Sequence, residues 1–244
     1  MAKIIDWLIT LEVFLIIGLG AGCLPWHIPF HKEKEPDYLQ VSTPAGAKVK
    51  GVYHTIKRGE TLWRIAKTYG VDLQMLAELN NIEDATKIRA GEKIFIPGAT
   101  KTKKLIPAYK EISYSIPKVV KQKTGFIWPV KGKVVSKFGV INGLRYEGIE
   151  IAAPLGTPVK ASQDGEVVYE GQLKGYGNLL ILKHKDNFKT IYAYNQVNLV
   201  SQGRKVKKGE TIARVGNTGR SSDPRLHFQI RKRNQARNPL FFLP

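Results

Sequence analysis

Apolar and polar residues alternate along this chain with two different periods, and the switch between them divides it. Val52-Tyr53-His54-Thr55-Ile56 reads as a strand, followed by a turn at Arg58-Gly59-Glu60. Thr61 stands where a helix cap is needed. The next eight residues, Leu62 to Tyr69, carry apolar side chains at helical spacing, and Gly70 stops the helix. Val71-Asp72 leads to a second helix with Leu73, Leu76, Ala77 and Leu79 on one side and Asn80-Asn81 at its end. Gly91-Glu92 then turns into a last strand, Lys93-Ile94-Phe95-Ile96-Pro97. The pattern predicts a small α+β unit, βααβ, over residues 51–98, with a small core. His54 is expected on the surface of its strand.

From Phe126 onward the period is two. Strand signals recur at 133–138, 148–151, 158–161, 165–170, 178–184, 189–194, 211–215 and 226–230, and glycine or asparagine punctuates nearly every gap. No segment there sustains a helical period. Residues 125–244 therefore read as a mainly β domain, an antiparallel sandwich or barrel-like fold. In the final strand Arg225 and His227 share one face, while Leu226 and Phe228 point to the core. His184 reads as a structural residue of its strand.

The remaining stretches lack such patterns. Residues 24–50 carry Pro25, Pro29, Pro36 and Pro44 with mixed charge and read as a flexible tether. Residues 99–124 hold seven lysines with Pro107 and Pro117, a basic linker that loosely joins the two units, with a short strand at 112–114. Residues 1–22 have the form of a secretory leader: Lys3, an apolar run, then small residues before Cys23, the only cysteine of the 244 residues. No intrachain disulfide is possible. Three readings stay open: a lipoprotein leader with Cys23 lipidated, an uncleaved anchor from about Trp7 to Leu24, and simple secretion. All three place the protein outside the cytoplasm, and the periplasmic side of the cell envelope is the expected location.

The net charge is +19, and it is concentrated late in the chain, with twenty basic against eight acidic residues in 125–244. Such a field suits a polyanionic or carboxylate-bearing partner. Zinc-finger spacing and aromatic RNA-binding motifs are missing, so nucleic acid is not expected.

Tyr53, Ile56, Gly59-Glu60-Thr61-Leu62, Ile65-Ala66, Leu79-Asn80 and Gly91-Glu92-x-Ile94-x-Ile96-Pro97 together resemble the LysM family. That resemblance implies binding of the N-acetylglucosamine-containing glycan strands of peptidoglycan between two loops. Those loops would be Gly59, Glu60, Thr61 and Leu62 on one side, and Asn81 and Ile82 on the other. The C-terminal domain resembles the lysostaphin/LytM zinc peptidases. It does so through Gly148-Ile149-Glu150-Ile151-Ala152-Ala153-Pro154, Gly175-Tyr176-Gly177-Asn178, Gly216-Asn217-Thr218-Gly219 and Leu226-His227-Phe228. Active members hold one zinc with a His-x-x-x-Asp motif and the second histidine of His-x-His, assisted by two further histidines. At those five positions this chain has Tyr146, Glu150, Tyr194, Arg225 and His227.

Only His227 keeps the family's residue. Phenols normally titrate near ~10, which makes Tyr146 a poor ligand, and Arg225 neither coordinates nor accepts a proton. A degenerate site without zinc or other cofactor is expected, and no hydrolysis. The arrangement resembles the murein hydrolase activators of the NlpD and EnvC type. The resemblance implies that the emptied groove binds and activates an N-acetylmuramoyl-L-alanine amidase during septal wall splitting. Tyr146, Glu150, Tyr194, Arg225 and His227 would line that partner surface. A residual zinc endopeptidase and a passive peptidoglycan-binding protein are the alternatives.

Overall fold

A computed structural model describes residues 46–105, 118–121 and 124–244. The leader, Cys23, most of the tether and the short strand expected at 112–114 lie outside the described residues. Among the described residues no helix is long and apolar enough to cross a membrane.

The chain enters with β1 (Ala47–Lys48) and continues into the βααβ unit: β2 (Gly51–Thr55), α1 (Leu62–Tyr69), α2 (Leu73–Leu79) and β3 (Lys93–Pro97). The caps explain the helix limits. Thr61 accepts from the amide of Arg64, and Asp72 accepts from that of Met75 at 2.7 Å. Gly70 takes the left-handed conformation and donates to the last carbonyls of α1. β2 and β3 pair antiparallel, and Leu62, Ile65, Ala66, Leu76, Ile94 and Ile96 form the core beneath the helices.

His54 differs from expectation. It is buried, its ring held between the Tyr69 hydroxyl at 3.0 Å and the Glu60 carboxylate at 2.8 Å. The reason is register: His54 shares its strand face with Ile56, and that is the face the helices cover.

The second domain is antiparallel β throughout. Its strands are β4 (Lys133–Ser136), β5 (Gly139–Ile141), β6 (Leu144–Tyr146), β7 (Ile149–Ala152), β8 (Pro158–Lys160) and β9 (Gly165–Leu173). They continue with β10 (Gly177–Lys183), β11 (Phe188–Asn195), β12 (Val197–Asn198), β13 (Lys205–Val206), β14 (Thr211–Arg214), β15 (Arg225–Lys232) and β16 (Gln235–Arg237). The main sheet runs β13-β9-β10-β11-β15-β7-β4, with β16 folded back on β15; a second sheet runs β12-β14-β8. Val159, Ile212 and Ala213 of the small sheet meet Ile149, Leu180, Tyr192 and Phe228 of the large one in a single core. That is a two-layer sandwich. β15 lies inside the sheet, and its interior residues are buried on both faces.

The joints between the segments also differ from a loose linkage. β1, the end of the tether, pairs with β6, Ala47 opposite Arg145. At one end of the linker Leu105 enters the LysM-like core, and the amide of Lys103 donates to the Tyr69 hydroxyl. At the other end the backbone of Val120 exchanges two hydrogen bonds with the Gln74 side chain. The two domains themselves are in contact: Leu79 and Phe95 of the first belong to the same core as Phe138 of the second. Glu78 of α2 is buried and takes both Nε and Nη2 of Arg237, and Asn238 donates to the carbonyl of Glu78 at 2.9 Å.

At Gly139 the backbones of the two domains approach closely. Its φ is +125°, and a Cβ there would lie 2.3 Å from the carbonyl oxygen of Leu79. Only glycine tolerates both conditions. Gly139→Ala should therefore cost about 2 kcal/mol of stability, through strain and displaced packing. Urea denaturation against the parent protein measures it, and an unchanged midpoint would contradict this account of the contact.

Candidate functional site

The sheet register assembles the site. His227 of β15 stands opposite Ala193 of β11 on one side and Glu150 of β7 on the other, so three neighbouring strands deliver their side chains to one face. The centre is the Glu150 carboxylate. Its Oε2 accepts from Arg225 Nη1 at 2.9 Å, and its Oε1 accepts from the Tyr194 hydroxyl at 3.4 Å. His227 Nδ1 lies 4.0 Å from the same Oε1. Arg225 Nη2 reaches Asp223 at 2.8 Å, so its guanidinium bridges two carboxylates.

Four of the five expected residues thus converge. Tyr146 is placed differently: it ends β6, half-buried opposite Gly139, outside the described hydrogen bonds that join the other four.

Tyr194 has a φ of +68°, a conformation that is an outlier for a bulky residue. Its amide bonds the Tyr176 carbonyl, and next to it the Asn195 carbonyl accepts from Thr218 Oγ1. These contacts bend the end of β11 and aim the phenol at Glu150. Burial and then the Glu150 charge raise the Tyr194 pKa, which keeps the phenol protonated. The Arg225 pKa is raised by its bond to Glu150.

His227 is fully buried between the rings of Tyr176 and Tyr194, at centroid distances of 5.5 and 5.3 Å. Desolvation pushes its pKa down to about 4, so the ring is neutral at pH 7. The proton can be assigned. Gln229 Oε1 accepts from Arg231, which leaves its Nε2 to donate to Tyr176 Oη at 2.9 Å and to His227 Nε2 at 3.0 Å. The histidine proton is then on Nδ1, which faces Glu150 but makes no hydrogen bond. Arg231 is itself paired with Glu147 at 2.8 Å. Sequence reasoning missed Gln229, Arg231 and Glu147. The signal was available, because Gln229 and Arg231 continue the alternation begun by Arg225 and His227.

The glycan-loop residues are less uniform than their motif. Leu62 is fully buried, and Thr61 caps α1. Burial raises the Glu60 pKa, but bonds from His54 and the Lys57 amide outweigh it and hold the carboxyl below its usual range. Gly59 is exposed, and Ile82 is half-buried. Asn81 turns its side chain to the other domain, donating to the Phe138 carbonyl at 2.7 Å and accepting from Asn238 at 3.0 Å. Beside it a cavity of about 630 Å³ is lined by Asn80, Asn81, Ile82, Lys87, Glu92 and Lys121. A cavity of about 770 Å³ lies between the domains, away from Glu150, with Met75, Glu78, Arg145, Arg231 and Arg237 in its walls.

Residues 54–97 match the LysM domain, and residues 145–239 match Peptidase family M23. The lipoprotein YgeR of Escherichia coli (strain K12) is 41% identical over 209 residues, 80% of this chain and 82% of that protein. The lipoprotein NlpD/LppB homolog of Pseudomonas aeruginosa is 33% identical over 244 residues, covering 83% of this chain and 82% of that one. The murein hydrolase activator NlpD of Salmonella typhimurium is 30% identical over 267 residues, covering 82% and 70%. The chain belongs to the NlpD family.

NlpD relatives carry the names of activators or lipoproteins, although the M23 fold is that of a zinc peptidase family. The residues of this NlpD-family site do not fit zinc. A catalytic zinc needs three protein donors and an open position. Here the one carboxylate is occupied by a guanidinium, and the phenol beside it stays protonated. Among the described residues no three His, Cys, Asp or Glu side chains gather to hold a metal. A divalent ion ~4 Å from Arg225 would be repelled by roughly 8 kcal/mol at an effective dielectric of ~20.

A neutral buried histidine makes stability depend on pH. With its pKa lowered from 6.5 to about 4 on folding, His227 binds its proton in the unfolded chain first. Its contribution is complete above pH ~6.5 and is lost as pH falls toward 4, by up to about 3 kcal/mol. His184, also lowered by burial, adds in the same direction. Urea denaturation at pH 7 and pH 4.5 should show this loss, and His227→Gln should remove most of the His227 share.

Proposed function

We propose that this chain is a non-catalytic envelope protein that binds peptidoglycan and activates an N-acetylmuramoyl-L-alanine amidase during septal wall splitting. The observation that carries the reading is the Glu150 carboxylate, bonded by Arg225 and Tyr194 where a hydrolase would hold its metal. A site closed in this way has no water-activating ion. What it does have is an arginine and a tyrosine, residue types that dominate binding energy at protein interfaces.

In this reading half-buried Tyr146, Glu150 and Arg225 line the surface that receives an acidic or amphipathic regulatory segment of the amidase, and Tyr194 and His227, expected on that surface from the sequence, are buried and support it from beneath. The rest of the basic domain steers that segment in. Arg225 is already split between half-buried Glu150 and exposed Asp223. A partner carboxylate replaces Asp223 without uncovering a charge, so little is lost on exchange. Gly59, Thr61 and the Asn81–Ile82 loop hold the glycan strand, and a lipidated Cys23 keeps the protein on the envelope, at the outer membrane of a Gram-negative cell.

A dye-release assay on purified peptidoglycan tests the reading. The protein alone should release nothing, with or without added zinc, and together with the amidase it should release well above the amidase alone. Release by the protein alone would instead identify an endopeptidase. Wall binding without stimulation would identify a passive wall protein. Arg225→Ala and Tyr194→Ala should each weaken amidase binding about tenfold or more, as expected for losing an interface anchor worth ~1.4 kcal/mol or above. Unchanged binding and stimulation in both would remove this surface from consideration.

A further inference from the structure

The contact between the domains is built from groups that neither domain leaves satisfied alone. Glu78 is 2% exposed on α2 of the LysM domain, and the cation that compensates it, Arg237, comes from β16 of the M23 domain. Asn238, fully buried, donates to the Glu78 carbonyl and to Asn81 Oδ1, while Asn81 Nδ2 donates to the Phe138 carbonyl. Leu79, Phe95 and Phe138 close the apolar part. Undocking would expose that apolar surface to water and give up the ion pair and the hydrogen bonds that cross the contact, leaving Glu78 only its bond from Gln74.

The same groups lead to both candidate sites. Asn81 belongs to the loop that borders the cavity beside Lys121. Phe138 immediately precedes β5, whose Gly139 pairs with Tyr146 of β6, four residues before Glu150. On the other side Arg237 pairs with Ile230 of β15, the strand that carries Arg225 and His227.

We propose that Glu78, Asn81, Arg237 and Asn238 are positioning residues. They fix the LysM loop and the Arg225 site in one rigid body, so that wall-bound protein presents the site at one distance and orientation. The idea rests on the wall-binding and amidase-binding reading above. Its consequence is geometric: partner and wall are engaged together, and the effective concentration of the amidase at its substrate is set by the lock. Asn81 serves the lock with its side chain and the glycan only through its backbone and neighbours.

The test uses the full chain with Cys23→Ser, Lys93→Cys and Lys131→Cys, two exposed lysines on different domains, carrying spin labels. The parent should give one narrow distance distribution. Arg237→Glu should broaden it, and adding Glu78→Arg should narrow it again. Stimulation of the amidase on intact sacculi should fall about tenfold in Arg237→Glu and recover in the double variant. Amidase affinity in solution should stay within about twofold.

A broad distribution in the parent would overturn the lock. Broadening without loss of stimulation would overturn the positioning role, and so would loss of sacculus binding in Arg237→Glu. Failure of the amidase reading shows up separately, as absent stimulation in a parent whose distances are narrow.

Discussion

A strand buried on both faces has to find partners for the polar side chains it carries, and β15 carries four on one face, among whose atoms Arg225 Nε and His227 Nδ1 stay buried without a hydrogen bond. Arg225, His227, Gln229 and Arg231 occupy one face, and Leu226, Phe228 and Ile230 fill the core on the other. The solution is a relay. Arg225 takes Glu150 and Asp223, His227 takes Gln229, Gln229 takes Tyr176, and Arg231 takes Glu147. Each link fixes the next, because unpaired groups at this depth are costly. The orientation of Gln229 decides which nitrogen of His227 bears the proton, and that depends in turn on Arg231.

The relay changes how the altered zinc site should be understood. Individual replacements at a metal site would leave a hole with orphaned ligands. Here the replacements compensate one another: the arginine neutralises the carboxylate that a metal would have used, and the tyrosine adds a second bond to it. The histidine is held neutral by burial, with Nε2 bonded to Gln229 and Nδ1 facing Glu150 without a hydrogen bond. Such a site is ill suited to a cation and still leaves Arg225 and Asp223 accessible above buried Tyr194 and His227. In the proposed reading, a protein segment would bind there with little reorganisation.

The junction between the domains obeys the same rule on a larger scale. Glu78 is buried only because Arg237 arrives from 159 residues away, and Gly139 has no side chain because the carbonyl of Leu79 occupies that space. The LysM domain thereby becomes part of the second domain's surroundings. The β1 pairing and the Val120–Gln74 bonds tie the neighbouring segments to the same assembly.

The sequence by itself determined the local structure. Caps at Thr61, Gly70 and Asp72, and the alternation from residue 133 onward, are short-range properties; both helices and the eight signalled strands form there, whereas β5, β6, β12, β13 and β16 form outside any such signal. It also determined that Arg225 and His227 share a face, since strand geometry alone requires that. The tertiary structure decided what spacing cannot encode. It buried His54 and Glu78, turned the Asn81 side chain toward the second domain, brought Tyr194 to Glu150 through a left-handed residue, and left Tyr146 outside the hydrogen-bonded cluster. Each of these depends on which distant segment covers a surface. Burial and charge pairing follow from long-range packing, and a residue's neighbours in the chain do not carry that information.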